Sequence, residues 1–254
     1  MPKFAVITGA SAGIGAEFAR QLSARGYDLM LVARRADRMQ ALAATLPARC
    51  EIFPADLARA AECFRLLEAL RERRVDLFLN NAGFGACGAF AQTDLDRELQ
   101  MLDVNVRAVQ ILTKGMVRQM ERQGGGTLLN VGSSAGLMPA GPGMATYYAT
   151  KSYVVSLTQA VAAELRAAGS PVYVACLCPG PVDTEFNGVA QVRFALPGLS
   201  ASQCVQAALT GLRRRKTIIV PGAGMAAAMA LSRLVPRRLL VRVVARQQRR
   251  KLGK

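Results

Sequence analysis

Short β-branched apolar runs alternate along the chain with longer stretches of helical period, and that alternation admits few folds. The runs are FAVIT (4–8), DLMLVA (28–33), CEIFPA (50–55), VDLFLN (75–80), TLLNVG (127–132), VYVACLC (172–178) and TIIV (217–220). Between them, residues 15–25, 36–46, 58–72, 94–122 and 153–168 carry apolar side chains at helical spacing. A strand that is apolar along its whole length is buried on both faces, which requires helices on both sides of a parallel sheet. The expected fold class is therefore α/β, a doubly wound parallel sheet. In such sheets ligands bind in the crevice at the carboxyl ends of the strands, so the residues just after each run are where chemistry is expected.

Composition narrows that chemistry. The chain has no histidine, which removes histidine general bases, Ser-His-Asp and Cys-His nucleophile pairs, and His-ligated zinc. Acid–base work falls to Tyr, Lys, Cys, Asp or Glu. The six cysteines show no C-x-x-C and no metal-ligand spacing, and they read as small core residues in a reducing cytoplasm. The amino terminus enters a strand at once, without the basic and apolar regions of a signal peptide, so a cytoplasmic location is expected. All 17 acidic residues lie within 1–185, while 14 of the 33 Lys and Arg lie in 186–254, so the net charge of +16 belongs to the tail. The tail lacks a nucleic-acid-binding motif and aromatic interleaving, and no nucleic-acid partner is expected.

The first run is followed by TGASAGIG (8–15), which leads into a helical stretch. Glycines there let the backbone turn tightly and approach a pyrophosphate, whose charge is stabilised by exposed N–H groups and the helix dipole. The spacing G-x-x-x-G-x-G differs from the commoner G-x-G-x-x-G. With it, the chain resembles the short-chain dehydrogenase/reductase family, and further motifs follow in family order over residues 4–184. The resemblance implies a Rossmann-like catalytic domain over 1–220, and the alternation of apolar residues with arginines at helical spacing makes residues 221–254 a basic amphipathic C-terminal helical extension. The resemblance further implies cofactor binding by Gly9, Ser11, Gly13, Ile14 and Gly15. ADL (55–57) supplies Asp56 and Leu57 near the adenine. NNAG (80–83) shapes the cofactor cleft with Asn80 and with Asn81, Ala82 and Gly83. DVNV (103–106) supplies Asn105, similar to the asparagine that holds a water in the family's proton relay. CPGPVDT (178–184) supplies Pro179, Gly180, Val182 and Thr184 around the nicotinamide carboxamide.

The end of the second run bears on which nicotinamide cofactor binds. An acid there contacts the ribose 2′-hydroxyl of NAD, whereas an arginine accommodates the 2′-phosphate of NADP. Here Ala33 stands in the acid's place, followed by Arg34 and Arg35. With Ser11 as a further donor, NADP(H) is expected in preference to NAD(H). The competing reading is two solvated arginines at the start of a helix.

For the acid–base group, TYYATK (146–151) offers two tyrosines and a lysine. A free phenol titrates near pH ~10, so a fixed positive charge is needed to bring it into range. Tyr147 lies four residues before Lys151 and Tyr148 three, and both are helical neighbour distances. Spacing alone leaves both open. The family motif Y-x-x-x-K selects Tyr147 as acid or base, with Lys151 lowering its pKa and holding the nicotinamide ribose, and leaves Tyr148 to packing or a rim contact. The carbonyl-polarising serine lies in NVGSSAG (130–136): strand register favours Ser133, whereas a count back from Tyr147 gives Ser134.

Together these residues imply hydride transfer between the nicotinamide and a carbonyl or alcohol substrate, a small molecule of apolar character. The apolar character rests on a lid formed by Phe186, Val189, Val192, Phe194 and Leu196, with Arg193 its one charge. The alternative is a non-enzymatic nucleotide-sensing protein on the same fold. Residues 233–254 read either as a basic amphipathic helix on an anionic membrane surface or as a helix packed on the domain. Family members are often homodimers or homotetramers.

Overall fold

The computed structural model describes residues 2–185 and 198–251. The apolar lid expected at 186–196 lies outside the described residues. Strands β1 (Lys3–Thr8), β2 (Tyr27–Ala33), β3 (Cys50–Pro54), β4 (Leu77–Asn80), β5 (Gly126–Val131) and β6 (Val172–Leu177) fall on the apolar runs to within two residues. The short pair β7 (Val182–Asp183) and β8 (Leu199–Ser200) stands apart, and β9 (Ile218–Ile219) closes the sheet. The main sheet is seven-stranded and parallel, in the order β3-β2-β1-β4-β5-β6-β9.

Alternate side chains of each strand enter two cores. Ala5 and Ile7 of β1 pack against Phe18 and Leu22 of α1 (Gly13–Ser23), Met39 of α2 (Ala36–Ala43) and a later helix described below. Phe4 and Val6 pack on the other face with Leu66 of α3 (Ala60–Leu70), and with Leu112 and Met116 of α5 (Val109–Arg122). Helices α4 (Leu95–Leu102) and α5 continue one another through a π-helical turn, Asp103–Ala108, within the stretch that reads as one helix in the sequence. Widened turns of this kind are frequent at functional sites. Helix α6 (Ala145–Ala167) begins earlier than the periodic stretch 153–168 and takes in Tyr147 and Lys151.

The remaining α-helices among the described residues are α7 (Ala201–Arg213), which the sequence pattern did not delimit and which joins the α1 face, α8 (Ala223–Leu231) and α9 (Arg237–Lys251). Among the described residues no helix is long and apolar enough to cross a membrane. In α9, Val244 and Gln248 are buried and Leu240 half-buried, while Arg237, Arg238, Arg242 and Arg246 face solvent.

A buried polar chain joins the layers behind the site. Thr113 Oγ1 donates to Asn130 Oδ1 at 3.2 Å, Asn130 Nδ2 donates to Thr158 Oγ1 at 3.0 Å, and Thr158 donates to the Val154 carbonyl at 2.6 Å. Asn130 and Thr158 are both fully buried, so each bond replaces one that water would otherwise make. Thr158→Val keeps the shape but strands the Asn130 amide. A cost of about 1–3 kcal/mol is expected, seen as a fall of roughly 2–10 °C in Tm by calorimetry.

Candidate active site

Sheet order reverses between β1 and β4, and the crevice expected at such a point opens beyond their carboxyl ends. Thr8, the last residue of β1, binds the two strand ends together. Its hydroxyl donates to the Leu79 carbonyl at 3.2 Å and accepts from Asn81 N at 2.9 Å and Ala82 N at 3.0 Å. Asn81 Nδ2 returns a bond to the Thr8 carbonyl at 2.9 Å. The sequence reading passed over Thr8, although its place at the strand end is a signal.

Gly9 turns the chain at φ 68°, and a Cβ there would lie 2.9 Å from Ala82 Cα. A Cβ on Gly15 would run into the Gly9 carbonyl oxygen. These two positions admit only glycine, and they bring the loop backbone against the start of α1. The residue before α1, Ala12, makes no side-chain cap bond, so the helix's first N–H groups are not taken by a capping side chain. This is a cradle for an anion.

The crevice is a cavity of about 1840 Å³. A pocket for one small ligand spans roughly 300–1,000 Å³, so there is room for a dinucleotide and a second molecule. Every residue assigned from sequence to the cofactor cleft or to catalysis lines it, except Gly15, Asn80 and Asn105. Asn80 was expected to shape the cleft, but its side chain turns away: its Nδ2 reaches the Val109 carbonyl of α5 at 3.4 Å. The alternation of a strand sends neighbouring side chains to opposite faces, and Asn80 is still in β4.

Asn105 sits in the π-helical turn, fully buried. Its Oδ1 accepts from Phe84 N at 3.1 Å, and its Nδ2 donates to the Phe84 carbonyl at 2.9 Å and to Thr150 Oγ1 at 3.1 Å. The carboxamide therefore braces the turn after NNAG against α6. A Cβ on Gly83 would meet Asn105 Oδ1 at 2.9 Å and Lys151 Nζ at 3.4 Å, so the absence of a side chain there lets the three approach.

Tyr147 and Lys151 lie one turn apart at the start of α6, with Lys151 Nζ 5.9 Å from the Tyr147 ring centre. Lys151 donates to the Val131 carbonyl at 2.9 Å. Ser133 lies beside the Tyr147 phenol and lowers its pKa, and its Oγ donates to the Pro179 carbonyl at 3.5 Å. Its Oγ also accepts from Ala135 N at 3.1 Å, while the neighbouring Ser134 donates its backbone N–H to Pro179. The sequence reading expects Lys151 to lower the Tyr147 pKa, but the larger effect is the opposite one. Burial pushes the Tyr147 phenol up to about 12, offset in part by Ser133, and pushes the Lys151 ammonium down to about 8.

At the ribose end of the cleft, Arg35 donates to Ser11 Oγ at 3.2 Å and pairs with Glu185 at 3.3 Å, and Arg38 pairs with the same carboxylate at 2.6 Å. Arg38 and Glu185 were not foreseen from the sequence. The opposite wall comes from residues past 220: Met225, Met229, Leu240 and Val244 line the cavity. A Cβ on Gly180 would touch Met225 at 2.7 Å, which shows how closely α8 covers the loop after β6.

The parallel sheet, the glycine turn and the grouping of Ser133, Tyr147 and Lys151 at one cleft can be set beside known proteins. Residues 3–192 match the short chain dehydrogenase family, to which the chain belongs. A very-long-chain 3-oxoacyl-CoA reductase of Neurospora crassa is 31% identical over 215 residues, covering 81% of this chain and 63% of that one. A short-chain dehydrogenase from Sphingobium yanoikuyae, solved in complex with NADPH, is 34% identical with a TM-score of 0.82, covering 91% of this chain and 94% of that one. A family member from Burkholderia phymatum, solved in complex with NAD, is 27% identical with a TM-score of 0.82 over 91% and 92% of the two chains.

Proposed function

We propose that the protein is an NADP(H)-dependent oxidoreductase that interconverts a carbonyl and an alcohol on a bulky, apolar substrate. The observation that carries this reading is the Tyr147 phenol, beside Ser133 and one helical turn from the Lys151 ammonium, facing a cavity with room for two ligands. NADP(H), when bound, supplies or takes up the hydride. The glycine turn and the N-terminus of α1 would hold its pyrophosphate, and Lys151 its nicotinamide ribose. In reduction, Tyr147 gives its proton to the substrate oxygen as that oxygen gains the electron pair of the carbonyl bond, and Ser133 donates a hydrogen bond to the same atom. Asn105 positions the turn after NNAG, since its carboxamide is already engaged by Phe84 and Thr150. The apolar wall of α8 and α9 supports an apolar substrate.

With a phenol at about 12, Tyr147 carries its proton at neutral pH, the state that reduction needs and oxidation does not. Alcohol oxidation should therefore rise steadily with pH from 7 to 10. Carbonyl reduction should hold and then fall above about pH 8, where Lys151 loses its charge. Tyr147→Phe should cost about 10²–10⁴ in kcat with NADPH binding retained. Ser133→Ala should cost about 10²–10³, and Ser134→Ala should leave activity near wild type. Full activity in Y147F would remove Tyr147 from the chemistry, and NADPH binding with no turnover of any carbonyl by the wild type would leave the fold as a nucleotide sensor.

Ala33, Arg34 and Arg35 at the cleft, with Arg35 already bonded to Ser11, support NADP(H) over NAD(H). A bound 2′-phosphate would take the place that Glu185 holds against Arg35 and Arg38. A kcat/KM for NADPH about 10–100 times that for NADH is expected, the worth of one or two charge-assisted bonds. Arg35→Ala should erase most of it, and a wild-type preference for NADH would sink the assignment.

Two surfaces support association. Leu95, Leu99 and Leu102 lie exposed at helical spacing on α4, which supports a homodimer or homotetramer. Leu231, Leu234, Leu239 and Val243 lie exposed among the arginines of the last helices, which supports peripheral contact with an anionic membrane through 233–254. Sedimentation velocity should show a mass above 27.1 kDa, and co-sedimentation with phosphatidylserine vesicles should fall on Arg237→Glu/Arg242→Glu.

A further inference from the structure

We propose that Tyr148 and Gln248 form a polar subsite in the apolar end of the cleft, which selects carbonyl substrates carrying a hydroxyl or carboxamide group away from the reacting carbon. The proposal rests on the oxidoreductase reading above and narrows its substrate class.

Helix α9 turns one face inward through Leu240, Val244 and Gln248, spaced four residues apart. The third place in this stripe calls for another apolar residue, yet it holds a glutamine that is 2% exposed. Gln248 Nε2 donates to the Tyr148 hydroxyl at 2.7 Å across a separation of 100 residues. Its Oε1 is buried and has no hydrogen-bond partner among the described residues. Buried polar atoms in folded proteins are almost always paired, so one left over on a cavity wall marks a place where a ligand atom completes the set.

Tyr148 is fixed from several sides. A Cβ on Gly141 would overlap its ring, so the loop backbone lies directly on one face. The Tyr147 ring meets it edge-on, with centres 6.4 Å apart and planes at 75°. Both Tyr148 and Gln248 line the cavity that Tyr147 faces, which sets the subsite beside the proton donor.

The chemistry of the partner follows from the inventory of the pair. The Tyr148 hydroxyl, having accepted one bond, keeps its own proton to donate, and Gln248 Oε1 is free to accept. Turning the carboxamide by 180° exchanges its two ends: Nε2 then carries the free donors and the Tyr148 oxygen the free lone pair, so the pair still offers both kinds. A hydroxyl or carboxamide matches both. A carboxylate has no proton for the Gln248 oxygen, and an ammonium has no lone pair for the tyrosine.

Benzophenone and its 2-, 3- and 4-hydroxymethyl derivatives test this, since they share one bulky apolar ketone and differ in a single hydroxyl. Isothermal titration into the full chain in the presence of NADP⁺ gives four dissociation constants. At least one hydroxymethyl isomer should bind about tenfold tighter than benzophenone, the worth of satisfying a buried polar group. In Gln248→Leu that ratio should collapse to near one with benzophenone binding retained, and in Tyr148→Phe, which keeps the carboxamide, part of the preference should remain. No preference in the wild type, no binding of any probe, or a tenfold ratio that survives in Q248L would overturn the proposal; equal weakening of all four probes in Q248L would assign Gln248 to packing and do the same. NADPH oxidation with the same ketones is read separately. Probes that bind with the expected ratio but are not turned over would leave the subsite standing and remove the enzymatic reading.

Discussion

The site depends on one hydroxyl. Thr8 ends the first strand at the place where sheet order reverses, and its side chain joins the loop that follows β1 to the turn that follows β4. Two loops from neighbouring parallel strands would otherwise diverge, because each strand is twisted relative to the next. With Thr8 and Asn81 exchanging bonds, the glycine turn and the NNAG turn become one rigid floor. Gly9 and Gly15 then complete it by removing the side chains that would push the turns apart.

From that floor the catalytic groups are placed by a second line of buried polar contacts. Asn105 ties the NNAG turn to α6 through Thr150, and the Asn130–Thr158 bond ties α6 to β5 deeper in the molecule. Tyr147 and Lys151 thus stand on a helix clamped at two depths. Burying a lysine and a phenol together costs solvation for both charged forms, and their pKa values move apart accordingly, one to about 12 and the other to about 8. The separation leaves both groups protonated at neutral pH, which is the state that suits proton donation.

Much of this was legible in the sequence because parallel strands buried on both faces leave an unbroken apolar run, and because the glycine spacing is imposed by backbone contacts that tolerate no Cβ. The strands fell where the runs lay, and the residues after them reached the cleft. What escaped was direction and distance. Asn80 and Asn81 read alike, yet strand alternation turns one to α5 and the other to Thr8. The π-helical turn around Asn105 leaves the apolar period of 94–122 nearly unchanged, so no pattern announced it. The balance between Lys151 and burial at Tyr147 depends on how much water reaches the phenol, which spacing does not encode. Gln248 carried a faint signal, a polar residue in the third place of an apolar stripe, but its partner 100 residues away did not.

That long separation bears on how the molecule is made. A chain leaving the ribosome can complete β1 through β6, with the nucleotide floor and the Tyr147 helix, before α8 and α9 have been synthesised. Domains commonly fold as synthesis proceeds, at about 5–20 residues per second. Several seconds therefore separate synthesis of the residues that form the dinucleotide cradle from synthesis of those that cover its apolar flank. The contact of α9 with Tyr148 joins the last of the described elements to one made about 100 residues earlier, so the cleft's wall closes only when the whole described chain is present.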